Sequence, residues 1–201
     1  MMQSVKRVSS PSQTTAYPKH HKSWTRLRVI LISLTLGAFA AITPASADIG
    51  SAGKKIVPSA QLVGSGTMTF LGFRVFKAEL YAPDGSYDPQ SPFALKLIYQ
   101  RNFKGKDIVE RSIDEIRSQG VTNQAKLNSW RQKMEAIFPN IQKGQSITGL
   151  RTGNGSALFY SGNRKLGEIR DREFTRYFFS IWLGSHTQDQ RLRNKLIGKS
   201  S

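Results

Sequence analysis

Cysteine is absent from this chain, which excludes disulfides, thiolate nucleophiles and sulfur-ligated metals together. Histidine is nearly absent too: of three, His20 and His21 lie in the first 47 residues and only His186 follows. One imidazole cannot assemble a histidine cluster for zinc or copper. With Gly184, Ser185 and Thr187 around it, His186 reads as a surface residue in a loop between helices. Acid is short, with 13 Asp and Glu against 30 Lys and Arg. The main apolar run, Val29 to Ile42, counts 14 residues, short of the ~20 that carry a helix across a bilayer. Apolar shape remains without the usual catalytic side chains, so the expectation is a binding fold.

The first 47 residues differ in kind from the rest. Lys6, Arg7, Lys19, Lys22, Arg26 and Arg28 precede the apolar run, and Ala45-Ser46-Ala47 follows it, the order of a secretory signal peptide with a cut after Ala47. A retained membrane anchor is the weaker reading. The expected location is periplasmic or secreted, in a bacterium. Those 47 residues hold six of the basic side chains and none of the acids, leaving a surplus of 11 positive charges beyond them. Such a surface favours weak contact with an anionic envelope surface. Nucleic acid is excluded as a partner, because the Lys and Arg are scattered and form no stripe with interleaved aromatics.

Residues 48–60 are small, polar and basic, and read as a flexible tether; a single domain is expected over 61–199. Strand-like runs span 62–70 and 73–82, joined in a hairpin about Leu71-Gly72 and closed by Pro83-Asp84-Gly85. In 93–102, Leu95, Leu97, Tyr99 and Arg101 alternate with partly apolar neighbours, as in a central strand. Ile108, Val109, Ser112, Ile113 and Ile116 then share one helical face ended by Gly120, and Leu127, Trp130, Met134 and Ile137 mark a second helix that Pro139 stops. Three short strands near 146–151, 157–160 and 165–169 are separated by glycine and asparagine turns, so the sequon Asn154-Gly155-Ser156 reads as a turn. Phe174, Tyr177, Phe178, Phe179, Ile181, Trp182 and Leu183 crowd the next helix, and a polar helix near 188–196 ends the domain. Strands, helices, strands, helices in that order give an α+β fold with an antiparallel sheet covered by helices on one face.

Three blocks, LVGSGTMTFLGFRVFKAELYAP (62–83), FALKLIYQRNFKGKDIVERSIDEIRSQG (93–120) and LGEIRDREFTRYFFSIWLG (166–184), resemble the bacterial exported branch of the chalcone isomerase-like family. The resemblance implies an open-faced β-sandwich with an apolar cleft between sheet and helices. It also implies two functions for one fold: plant isomerases that close a flavonoid ring, and non-catalytic relatives that bind fatty acids. The isomerases use an arginine on an early strand and a tyrosine and an asparagine near the first helix. Here the early strand offers Ser65, Thr67 and Thr69, and the helix region offers Lys104, Lys106 and Arg111. The fatty-acid binders use an arginine and a tyrosine on the ligand carboxylate, and the early-strand arginine is missing for that purpose too.

The expected ligand is therefore an apolar or amphiphilic small molecule, fatty-acid-like, bound without catalysis. Alternation places Tyr99 and Arg101 at the end of an apolar row, a suitable anchor for an acid, although a core tyrosine followed by a solvated strand end fits the same pattern. Lys106 joins them as a candidate, with Trp130, Phe178 and Trp182 as the aromatic wall, or as plain core. Two alternatives stay open: an isomerase (an intramolecular lyase) using Lys104, Lys106 or Arg101 on an enone or flavonoid-like substrate, and a basic interaction module at the cell envelope. Glu110, Asp114 and Glu115 read as surface charges pairing with nearby arginines. No cofactor is expected, since Gly64-Ser65-Gly66 is too short for a dinucleotide fingerprint and Gly198-Lys199-Ser200 lacks the upstream glycine of a phosphate loop.

Overall fold

Within the computed structural model, residues 49–199 are described. The expected signal peptide and its cut after Ala47 lie outside them. Six strands pair in chain order as one antiparallel meander: β1 (Ala60–Phe70), β2 (Phe73–Pro83), β3 (Phe93–Tyr99), β4 (Ser146–Arg151), β5 (Ala157–Ser161) and β6 (Arg164–Ile169). Between β3 and β4 run α2 (Gly105–Ser118) and α3 (Gln124–Glu135), and after β6 come α4 (Arg172–Leu183) and α5 (Gln190–Leu196). This is the expected α+β fold with the expected order of elements.

Alternation along the strands sorts side chains between two faces. Ala78, Leu80 and Ala82 of β2, Phe93, Leu95, Leu97 and Tyr99 of β3, and Phe159 of β5 join the main core beneath α2 to α5. The intervening Tyr81, Ala94, Leu158 and Tyr160 point the other way. There the structure corrects the tether reading of 48–60. Gly50–Ile56 is a short helix, α1, and Ile49 and Val57 on either side of it are buried, at 3% and 0% exposure, against that second face. The segment shows no hydrophobic period because its two fully buried anchors flank the helix, with only the apolar Ala52 and Ile56 of the helix partly buried beside them.

Caps and close approaches fix the helices. The Asn123 side chain caps α3 through the Lys126 N–H, and the Asp171 carboxylate caps α4 through the N–H groups of Glu173 and Phe174. Gly120 ends the α2 segment at φ +95°, a conformation that favours glycine. On β1, a Cβ at Gly64 would lie 1.9 Å from the Lys195 carbonyl oxygen, so glycine is what lets α5 lie directly on the edge strand. Ion pairs from Arg131 to Glu110 (2.9 Å) and from Lys126 to Glu173 (2.7 Å) join α3 to α2 and to α4.

Candidate functional site

Between the sheet and the helices lies a cavity of about 210 Å³. Its floor is the helix-facing row of the central strands, Leu95, Leu97 and Tyr99 of β3 with Ile147 and Gly149 of β4 and Phe159 of β5. The roof is Phe178, Phe179 and Trp182 of α4 with Phe138, while half-buried Val75, Phe76, Phe103 and Ile108 and exposed Asp107 and Arg111 form the rim. Phe178 occupies the centre of the aromatic wall, with ring centroids of Phe159, Phe174, Phe179 and Trp182 at 5.2–5.4 Å. Gly149 matters here: a Cβ would stand 3.0 Å from the Phe179 ring, so the bare strand lets that ring lie against the floor. A second cavity of about 110 Å³ adjoins the first, with Phe76, Arg111, Ser112 and Trp182 bordering both.

Polar groups are few and their states differ. Tyr99 is 5% exposed, its hydroxyl makes no hydrogen bond among the described residues, and it is not a sealed orphan, so that hydroxyl meets the cavity's open space. Burial pushes the phenol well above its ordinary pKa, keeping it a neutral donor. Ser112 is committed, donating to the Ile108 carbonyl (2.8 Å). Arg111 pairs with Glu115, as the four-residue spacing suggests, but its side chain remains 63% exposed at the rim. The surface pair of Arg117 with Asp114 (2.7 Å) also forms as expected. Among the described residues, no group of His, Cys, Asp and Glu could hold a metal ion, and His186 is exposed between α4 and α5.

The structure divides the candidate residues from the sequence. Tyr99, Phe178 and Trp182 line the cavity together. Arg101 does not: β3 ends at Tyr99, the chain bends, and the exposed guanidinium sits 4.9 Å from the Phe73 ring centroid. Lys106 is exposed in the first turn of α2 and away from the lining. Trp130 is 1% exposed and lines neither this cavity nor the adjoining one; its indole N–H donates to Asp171 (2.9 Å), which makes it a structural tryptophan. Sequence reasoning passed over Phe76 and Phe103 and did not count Arg111 among the binding candidates. Arg111 carried a usable signal, since it stands three residues after Ile108 and directly before Ser112 of the inward helix face.

A larger cleft of about 840 Å³ lies elsewhere, against α4 and α5. Three of its four arginines are occupied by backbone: Arg151 donates to the carbonyls of Ser91 and Thr152 (both 3.2 Å), Arg172 to Asn154 (2.8 Å) and Arg193 to Leu183 (3.0 Å), while Arg176 stacks 4.1 Å from the Tyr177 ring centroid. Burial pushes Tyr87, on the same wall, up to about 12 even with Arg193 and Arg151 opposing it. These side chains staple loops and helix ends. The apolar cavity is the candidate site because its size and wall suit a ligand and one of its two deep polar groups, the Tyr99 hydroxyl, is uncommitted.

A family model described as chalcone isomerase-like matches residues 53–198. Among solved structures, a fatty-acid binding protein of Arabidopsis thaliana superposes with a TM-score of 0.56 at 13% identity, over 71% of this chain and 89% of that one. At that identity the likeness concerns fold alone. No curated protein matches by sequence.

Proposed function

The chain belongs to the chalcone isomerase-like family, and from that premise we propose that its domain is an exported binder of an apolar or amphiphilic small molecule, fatty-acid-like, which it holds without chemical conversion. One observation carries this reading: the cavity wall is apolar and aromatic, and of its two buried polar side chains Ser112 is bonded to backbone while the Tyr99 hydroxyl is unpartnered, with Asp107 and Arg111 only at the rim. An apolar cavity of ~150 Å³ already stays dry and accepts benzene-sized guests, and ~300–1,000 Å³ is usual for larger ligands. At about 210 Å³, with the adjoining space of about 110 Å³, a short or folded aliphatic chain fits. Its carboxylate would accept from Tyr99 and meet the Arg111 guanidinium at the rim. Binding is favoured over isomerisation because the deep polar groups are a neutral phenol and a serine already bonded to backbone, neither of them a base at neutral pH.

Titration calorimetry with dodecanoate and dodecane-like apolar probes on delipidated protein tests this. Saturable uptake is expected, with Tyr99→Phe weakening the carboxylate about tenfold, the loss of one charge-assisted hydrogen bond, and leaving the apolar probe unchanged. Failure of every probe to bind would refute it. Export is supported by the leader-like N-terminus, and N-terminal sequencing of the exported protein should read from Asp48.

A further inference from the structure

We propose that the tip of the β1–β2 hairpin is a docking surface for an anionic phospholipid bilayer. Every residue from Thr69 to Arg74 is exposed, and Phe70, Leu71 and Phe73 are 61%, 79% and 60% exposed. The turn is made by Leu71 and Gly72, both left-handed at φ +48° and +79°. That geometry favours Asn-Gly, so a leucine there is strained as well as exposed to water. Folding alone gains nothing from this choice. An apolar medium that the tip enters does.

Cations stand beside the tip and at the sheet end behind it. The Arg101 guanidinium lies 4.9 Å from the Phe73 ring centroid. Arg74 follows the tip directly, and Lys104 and Lys143 belong to segments held at the same end of the sheet by bonds from Gln100 N–H to the Val75 carbonyl and from Lys143 N–H to the Asn102 side chain (both 2.8 Å). Arg74, Arg101, Lys104 and Lys143 form no ion pair among the described residues. Stretches 69–78, 100–106 and 136–149 contain no Asp or Glu; the acids that border them are Glu79, which Lys77 pairs, Asp107 at the start of α2, and Glu135. An aromatic and aliphatic point backed by cations complements an anionic interface, with rings at headgroup level and guanidinium and ammonium groups on lipid phosphates. A second copy of the chain is the poorer occupant, because tip-to-tip pairing would bring like charges together.

The proposal goes beyond ligand uptake and does not depend on what the cavity holds. Because the chain has no cysteine, Leu71→Cys in the full chain gives one attachment point for a polarity-sensitive fluorophore. With vesicles of phosphatidylcholine plus phosphatidylglycerol its emission should shift to the blue, less so at high salt and little with phosphatidylcholine alone. Unlabelled Phe70→Ser/Phe73→Ser and Arg74→Glu/Arg101→Glu proteins should lose at least tenfold in vesicle co-sedimentation while keeping their circular dichroism. Leu71→Asn should also lose affinity while its thermal midpoint holds or rises. Vesicle binding with the fluorophore still in water, unchanged binding of the hairpin variants, or a blue shift that grows with protein concentration in the absence of lipid would each overturn the proposal.

Discussion

The Asp171 carboxylate accepts from the N–H of Glu173 (3.0 Å) and Phe174 (2.9 Å) through one oxygen and from the Trp130 indole (2.9 Å) through the other. Burial by itself would raise its pKa; the bonds from Phe174, Trp130 and Glu173 outweigh burial and hold it below the usual carboxylate value. A carboxylate depressed in the folded state stabilises the fold above its unfolded pKa of ~3.9, and that contribution is lost as pH falls through the folded value. Asp171→Ala removes a cap of about 1 kcal/mol and strands the indole, so about 2–3 kcal/mol should be lost at neutral pH by urea unfolding. Asp171→Asn keeps a capping oxygen but not the titration, so its stability should vary less between pH 5 and pH 3 than the wild type's. At this scale the sequence was only partly legible. The helix period placed Trp130 inward, but nothing along the chain announced that residue 171 would meet it.

Among elements, local pattern sufficed where period and punctuation agreed. Pro139 and Gly120 bounded the helices, and the glycine and asparagine turns fixed the last three strands. Arg101 shows where pattern fails: alternation extends past Tyr99, but the strand stops because the chain must turn toward α2. The α1 segment shows another failure, since two isolated apolar residues carry no period and their burial depends on a sheet face built far along the chain. Ile49 and Val57 give that segment its hold, with Ala52 and Ile56 packed beside them. Ile49→Ala should therefore destabilise the domain by about 2 kcal/mol, the low end for large-to-small core changes because the site lies at the edge of a small cluster. Hydrogen exchange should show faster opening confined to α1 and the second sheet face, while the amides of α2 and β3 keep their protection.

For the whole molecule, the antiparallel architecture and the helix-covered face followed from the order of elements, while the cavity did not. A void is set by how Phe178, Phe179 and Trp182 meet Leu95 and Leu97 across more than 80 residues of sequence, a relation no local window contains. Under the binding proposal, the same void makes stability depend on a guest. A ligand at ~100 times its dissociation constant adds about 2.7 kcal/mol, and at ~2–4 °C per kcal/mol for a domain of this size the melting temperature should rise by about 5–10 °C. Calorimetry of the protein before and after delipidation checks it: removing a co-purified guest should lower the transition and adding dodecanoate should restore it.

Ile49, seated against the sheet, also constrains the proposed processing of the N-terminus. It lies only two positions past the expected scissile bond, and an endopeptidase needs several extended residues on each side of its target. Under the proposed export, a peptidase cutting after Ala47 would therefore have to act on a translocating chain whose second sheet face is still bare. In that scheme trimming precedes packing, and a precursor that folds too early would bury its own processing site.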